Sequence, residues 1–242
     1  MFAPPKVDSQ MAIDTMLNVP VNQNDIEVLS LMKSGGGAAT SGGIDYQNRV
    51  AAWVAVNILA SSNTPWRLPV GTTLNWLWCE TEQPVDDLMI GTSSGGVVYM
   101  QIKRHLRLSK SRNSDLASAI DQFVRQYTAC QGRDSGTSPW DRPLDHERDR
   151  LVLVTSSRSS SLIREDLPQV LNRLRHLVTG QTIDGVATNE GQYRCLSIIR
   201  QHIAQTWQKL LGVAPCEDEI VQLLRLIYVQ VLLHGRRRRN LW

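Results

Sequence analysis

Apolar residues recur along this chain with two periods, near 3.6 and near 2, and the switches between them mark out its elements. From Tyr46 to Leu59 a helix is expected, with Val50, Trp53, Val54, Asn57 and Ile58 on one side. Thr72 to Glu80 alternates and is rich in β-branched and aromatic residues, which predicts a first strand with Glu80 at its end. Leu88, Met89 and Ile90 form a short continuous apolar run, as a strand buried on both faces does. Gly91-Thr-Ser-Ser-Gly95-Gly96 supplies the positive-φ positions of a hairpin turn, and Val97 to Lys103 returns as its second strand. Leu116, Ile120, Phe123 and Val124 carry a helical pattern. Leu151 to Thr155 reads as a buried parallel strand reached by that helical crossover, and a further helix runs through Leu167 to Leu177.

The punctuation divides the chain into three stretches. Residues 1–43 hold one weak helical pattern around Ile26 to Met32, then the run Ser34 to Gly43, read as a flexible joint. That run lacks Gly-Lys-Ser/Thr and a preceding strand, so it is no phosphate-cradling loop. Residues 44–180 form an α/β core, in which the Gly-, Ser- and Pro-rich Gln131 to Glu147 is a surface loop. Residues 181–242 read as a helical extension, with helices over about Gln192 to Leu211 and Glu217 to His234 separated by Gly212-Val-Ala-Pro215. The acids Glu217, Asp218 and Glu219 complement the dipole of the second. It is apolar nearly all round and calls for cover by this domain, a second copy or a following domain. Arg236 to Arg239 follow, as a DNA-touching tail or a solvated stop.

Composition narrows the class. A chain of 242 residues, 42% hydrophobic and 20% charged, is ordinary for a globular protein and long enough for one α/β domain with an addition. A net charge of +3 is too small to argue for nucleic acid by itself. Its distribution says more, because residues 101–113 carry Lys103, Arg104, Arg107, Lys110 and Arg112 with no acid among them. A duplex backbone is contacted by such a track largely without regard to sequence. A solvated loop is the plain alternative.

The four cysteines lie far apart with no Cys-x-x-Cys, which excludes a disulfide framework or zinc site and fits reduced thiols in a cytoplasmic protein. Cys79 is expected to be a small buried thiol, and Trp53, Trp66, Trp76, Trp78 and Trp207 to be core. His146 is expected to be a surface imidazole. No Gly-x-Ser-x-Gly or His-Glu-x-x-His occurs, so serine-hydrolase and zincin chemistry have no motif here. The opening residues do not form a signal peptide, and the most apolar stretch, Ile220 to Leu233, is too short and polar to span a bilayer.

The candidate chemistry lies at the hairpin. Asp86 and Asp87 stand at the mouth of one strand, Glu80 ends the strand before it, and the returning strand closes in Gln101-Ile-Lys103. Alternation sends Gln101 and Lys103 to one face and Ile102 to the other. Antiparallel pairing of the two strands would bring the acids, the amide and the lysine to one sheet edge. Hard carboxylate and carbonyl oxygens suit Mg²⁺, which keeps several waters and takes phosphate oxygens as ligands. A lysine beside the ion can orient a water or offset charge growing on a phosphate. Acids before a strand and a lysine after one also occur as plain solvated ends.

The order Glu80…Asp86-Asp87…Gln101-x-Lys103 resembles the PD-(D/E)XK nuclease superfamily in its Gln-x-Lys variant. Gly42-Gly-Ile-Asp45-Tyr-Gln47-Asn-Arg49 is similar to the opening helix of one branch, as is Arg150-Leu-Val-Leu-Val-Thr155 with the helix after it. That branch is the double-stranded-DNA endonuclease of bacterial anti-phage effectors, joined there to cyclic-oligonucleotide sensors or STAND-type NTPases. The likeness covers roughly residues 40–180.

The resemblance implies a restriction-endonuclease-like core, a mixed central sheet flanked by helices. It implies Mg²⁺, replaceable by Mn²⁺, held by Asp87 and Glu80 with Asp86 or the Ile102 carbonyl. Lys103 is matched to the catalytic lysine, with Gln101 where most members carry Glu or Asp and Gln47 where many carry a helix-borne Glu. Arg104, Arg107, Lys110 and Arg112 would meet DNA. Sequence-nonspecific cutting to 5′-phosphate ends, a homodimer or larger assembly for double-strand cleavage, and a sensor or NTPase module follow as expectations. Two glutamines at ligand positions leave fewer negative charges for a metal. A catalytically inactive DNA-binding or assembly module is therefore the alternative, and an RNase on the same scaffold a further one.

Overall fold

A computed structural model of the chain describes residues 36–62, 66–132, 140–177 and 182–232. The expected helix around Ile26 to Met32 and the tail Arg236 to Arg239 lie outside the described residues. Residues from Asp45 onward make one compact unit, which holds everything discussed below.

The chain is α/β, built on a mixed five-stranded sheet in the order β1-β2-β3-β4-β5. Helix α1 (Gly36–Leu59) precedes β1 (Leu74–Cys79), β2 (Leu88–Thr92) and β3 (Val97–Ile102). These three strands form an antiparallel meander. Helix α2 (Asp115–Gln131) crosses over to β4 (Arg150–Ser156), which runs parallel to β3. Then come α3 (Leu167–Arg175), α4 (Glu190–Leu211), α5 (Glu217–Leu226) and β5 (Ile227–Leu232), the last parallel to β4. Among the described residues no helix is long and apolar enough to cross a membrane.

Strand alternation sorts the core into two layers. Leu88, Ile90, Val98, Met100, Ile102, Val152 and Val154 face Tyr46, Val50 and Val54 of α1. Met89, Val97, Tyr99, Leu151 and Leu153 face a larger layer supplied by α2, α3, α4 and α5. Every residue of β2, β3 and β4 is buried, which is why those segments read as unbroken apolar runs. Each large aliphatic or aromatic side chain so buried contributes roughly 1.5–3 kcal/mol.

Two expectations are corrected. The run from Gly36 to Gly43, read as a flexible joint, is helical and forms the first turns of α1. The second C-terminal helix stops at Leu226 rather than His234, because Ile227 adopts an extended backbone and the chain continues as a strand. Ile227-Tyr-Val-Gln-Val-Leu is β-branched at alternate positions, and pairing with β4 satisfies its backbone. What looked like a helix apolar all round is a short amphipathic helix followed by a half-buried strand. The C-terminal stretch therefore completes the sheet instead of extending beyond it.

Smaller surprises concern side chains. Trp78 is 51% exposed rather than core, and its ring clusters with Trp76 and Trp140 at centroid distances of 5.5 and 5.0 Å. Cys79 is exposed, not a buried thiol. Trp76 is paired across the ladder with Gly91, and its indole occupies the space where a side chain at Gly91 would stand. Just past the stretch read as a surface loop, Asp149 is fully buried. This carboxylate accepts two N–H bonds from Arg142 at 2.6 and 2.8 Å and the backbone N–H groups of Val97 and Asp145. Arg142 also donates to the Gly95 carbonyl, so the pair locks the hairpin turn to β4.

Two stability predictions follow from these contacts. A Cβ built on Gly91 would lie 1.9 Å from an indole carbon of Trp76, so Gly91→Ala should destabilise the fold by about 1–3 kcal/mol in urea unfolding. Asp149→Ala strands the Arg142 guanidinium and two buried N–H groups, and should cost about 3–5 kcal/mol in the same assay.

Candidate active site

The site lies where β2 begins and β3 ends. The last ladder pair is Leu88 with Met100, so the residues just beyond it, Asp87 and Gln101, face each other at the sheet edge. Asp87 folds its carboxylate onto the end of β3 and takes over the hydrogen bonds the ladder no longer supplies. Oδ2 accepts from the Ile102 backbone N–H and from Gln101 Nε2, both at 2.6 Å. Oδ1 accepts from Gln47 Nε2 on α1 at 2.5 Å. One carboxylate thus ties a helix and two strands together.

The loop that delivers Asp87 is fixed from behind by α2. Val85 is fully buried, and its N–H donates to Gln126 Oε1 at 3.2 Å. One helical turn earlier Gln122 Nε2 donates to Asp86 Oδ1 at 3.1 Å. The backbone closes as a narrow loop, with Glu80 N–H bonded to the Asp87 carbonyl and Thr81 N–H to that of Asp86. Glu80 itself has φ +51°, a left-handed conformation that turns the chain out of β1.

Lys103 follows β3 and is held by its backbone alone. Its N–H donates to the Val154 carbonyl and its own carbonyl accepts from the Thr155 hydroxyl at 2.7 Å. The half-buried side chain lies close enough to Asp87 to act on its charge. Burial raises the Asp87 pKa above the ordinary carboxylate value. The Ile102 N–H opposes that, Asp86 adds to it, and Lys103 and Gln47 offset it further.

Hydrogen bonds therefore bring Gln47, Asp87 and Gln101 together, with Asp86 adjacent in the chain and Lys103 near enough to act on the Asp87 charge. Glu80 is placed differently. Its carboxylate is exposed and makes no hydrogen bond or ion pair among the described residues. Among these residues no group of three or more acidic, histidine or cysteine side chains is gathered as metal ligands. The donor set is instead one carboxylate with amide oxygens. Gln101 Oε1 is buried with no hydrogen-bond partner, an orphaned hard acceptor beside Asp87. These are the hard oxygens at the corner, and both oxygens of Asp87 are already engaged by N–H donors.

The basic segment is not a loose loop. Leu106 is fully buried, with its N–H bonded to the Ser159 hydroxyl and its carbonyl to the Ser160 N–H. Leu108 packs on the same core, and His202 Nε2 lies 2.8 Å from the Ser109 carbonyl. These anchors leave Arg107, Lys110 and Arg112 exposed, while Arg104 is half-buried near the Tyr46 hydroxyl. Tyr46 went unremarked in the sequence. Its hydroxyl is buried without a hydrogen-bond partner, and burial pushes its pKa up to about 12. The signal for it was its place on the core stripe of α1 immediately before Gln47. Nothing in the sequence pointed to Gln122, Gln126 or His202.

Comparison with known proteins returns no match, whether to a family model, a curated protein or a solved structure.

A group whose folded pKa is raised adds stability below its unfolded pKa and loses it as pH climbs through the folded one. Ionised Asp87 therefore weakens the fold at neutral pH. Relative to Asp87→Asn, which cannot titrate there, the wild type should gain melting temperature as pH falls through the carboxylate range, read by circular dichroism.

Proposed function

We propose that this chain is a metal-dependent endonuclease acting on double-stranded DNA, on a restriction-endonuclease-like α/β core. The observation that carries the reading is the convergence of Gln47, Gln101 and the Ile102 N–H on Asp87 through three hydrogen bonds, with Lys103 at the same sheet edge. Asp87 and Gln101 Oε1, with Asp86 or Glu80 from the rim, are the groups that would hold Mg²⁺ or Mn²⁺. When bound, such an ion polarises a phosphoryl oxygen and acidifies a water. Lys103 orients the attacking water and offsets charge that grows on the scissile phosphate. Gln47 fixes the Asp87 carboxylate from the helix side. Arg104, Arg107, Lys110 and Arg112 run away from this edge on an anchored segment, where a phosphate backbone would lie.

Cutting both strands calls for two such sites, hence a homodimer or larger assembly. The segment read as an apolar contact helix is in part strand β5, an edge strand whose residues after Ile227 are partly exposed. A role as anti-phage effector, under a sensor or NTPase module in the same or a partner chain and within the cytoplasm, belongs to the same reading.

A second reading has its own observation. Both Asp87 oxygens are already engaged by N–H donors, and the Glu80 carboxylate is not directed to them. That favours a nuclease-fold module which binds DNA or assembles without cutting.

Incubation of supercoiled plasmid with the protein and Mg²⁺ or Mn²⁺ separates the two. Cleavage should appear, and Lys103→Ala should lower its rate roughly 10²-fold or more. Mg²⁺ should also raise the melting temperature of the wild type but not of Asp87→Asn. Binding without cutting in either protein selects the second reading, and cleavage of RNA with duplex DNA spared moves the substrate to RNA.

A further inference from the structure

A second concave site lies between α2 and α4. The N-terminal half of α2, the C-terminal half of α4 and the end of the basic segment enclose a cavity of about 480 Å³. Arg112, Ser118, Asp121, His202, Thr206 and Lys209 line it.

Its charge is unbalanced. Arg112 and Lys209 make no ion pair among the described residues. Asp121 is the acid in the lining, and both its oxygens are engaged. Oδ2 pairs with Arg125 Nε at 2.6 Å, and Oδ1 accepts from the Thr206 hydroxyl at 3.2 Å. The carboxylate is neutralised from outside the cavity, which leaves two cations and the Ser118 hydroxyl facing an empty volume. His202 is 2% exposed, and its Nε2 bonds a carbonyl, which can only accept, so that nitrogen carries the proton. The ring is thereby oriented, and it joins the cavity wall to the segment that starts at Lys103.

We propose that this cavity binds the phosphate group of a small phosphorylated molecule. The volume falls in the range of small-ligand pockets. Two cations with the Ser118 hydroxyl beside them suit a phosphate dianion. The inference does not depend on Asp87 or Gln101, though it shares Arg112 with the proposed DNA track. It gives the chain a means of control: a ligand holding Arg112 restrains the far end of the segment that bears Arg104, Arg107 and Lys110.

The probes are AMP, adenosine and inorganic phosphate, titrated calorimetrically into the full chain. AMP should bind saturably and adenosine not, with inorganic phosphate competing. Arg112→Gln with Lys209→Gln should weaken AMP roughly tenfold or more. Both residues are exposed, so this variant should melt like the wild type; should it not, phosphate competition on the wild type alone decides. Absent AMP binding, equal binding of adenosine, or indifference to the paired substitution overturns the proposal. So does a short duplex that displaces AMP, because the cations then belong to a nucleic-acid track.

Discussion

The arrangement of the candidate site depends on one carboxylate. Asp87 is the point at which α1, β2 and β3 are joined by polar contacts, and it is joined by being an acceptor only. Three N–H donors at 2.5–2.6 Å leave it little freedom, and each of them comes from a different direction. Charge-assisted bonds of this kind are about twice as strong as neutral ones. Yet the same group is buried enough for its pKa to rise. Desolvation thus outweighs the donors, which means the pocket holds the negative charge at a cost. A cation entering there would recover that cost, and so would a proton. This is the physical ground on which a hydrolytic and a purely structural role compete.

The two ends of the sheet make the point by contrast. At the far end Asp149 has four donors, and Arg150 spends its guanidinium on the carbonyls of Trp66, Arg67, His146, Glu147 and Asp149. Those charges are buried but saturated, as structural ones are. At the Asp87 end Gln101 Oε1, Gln122 Oε1 and the Tyr46 hydroxyl are buried with no partner. A buried unmade hydrogen bond costs about 1–3 kcal/mol. The orphaned atoms beside Asp87 therefore carry a cost that the Asp149 carboxylate and the Arg150 guanidinium do not.

Much of this was legible in the order of residues. The meander, its turn, the crossover to β4 and the meeting of Asp87 with Gln101 follow from alternation and from the rule that antiparallel neighbours share their ends. The failures have physical causes too. Periodicity cannot tell a short buried strand from a buried helix, so Ile227 to Leu232 was absorbed into the helix before it until its pairing with β4 was seen. Glycines without a proline among them do not forbid a helix, and Gly36 to Gly43 is one. Side-chain amides carry no pattern at all. Gln122 and Gln126 are neither apolar nor charged, and only the packing of α2 against the acidic loop shows what they do.

The basic segment shows how burial and charge divide the labour along a short stretch. Leu106 and Leu108 turn inward at alternate positions, and Ser159, Ser160 and His202 bind the backbone between and beside them. Arg107 and Lys110 then point outward from a backbone already fixed. A long cation on a loose loop loses chain entropy when it meets a phosphate, and that loss cancels much of the attraction. Here the ordering has been met by folding, so each contact retains more of its electrostatic gain. The segment also begins at Lys103 and ends at Arg112, so the same rigid stretch links the Asp87 corner to the cavity between α2 and α4.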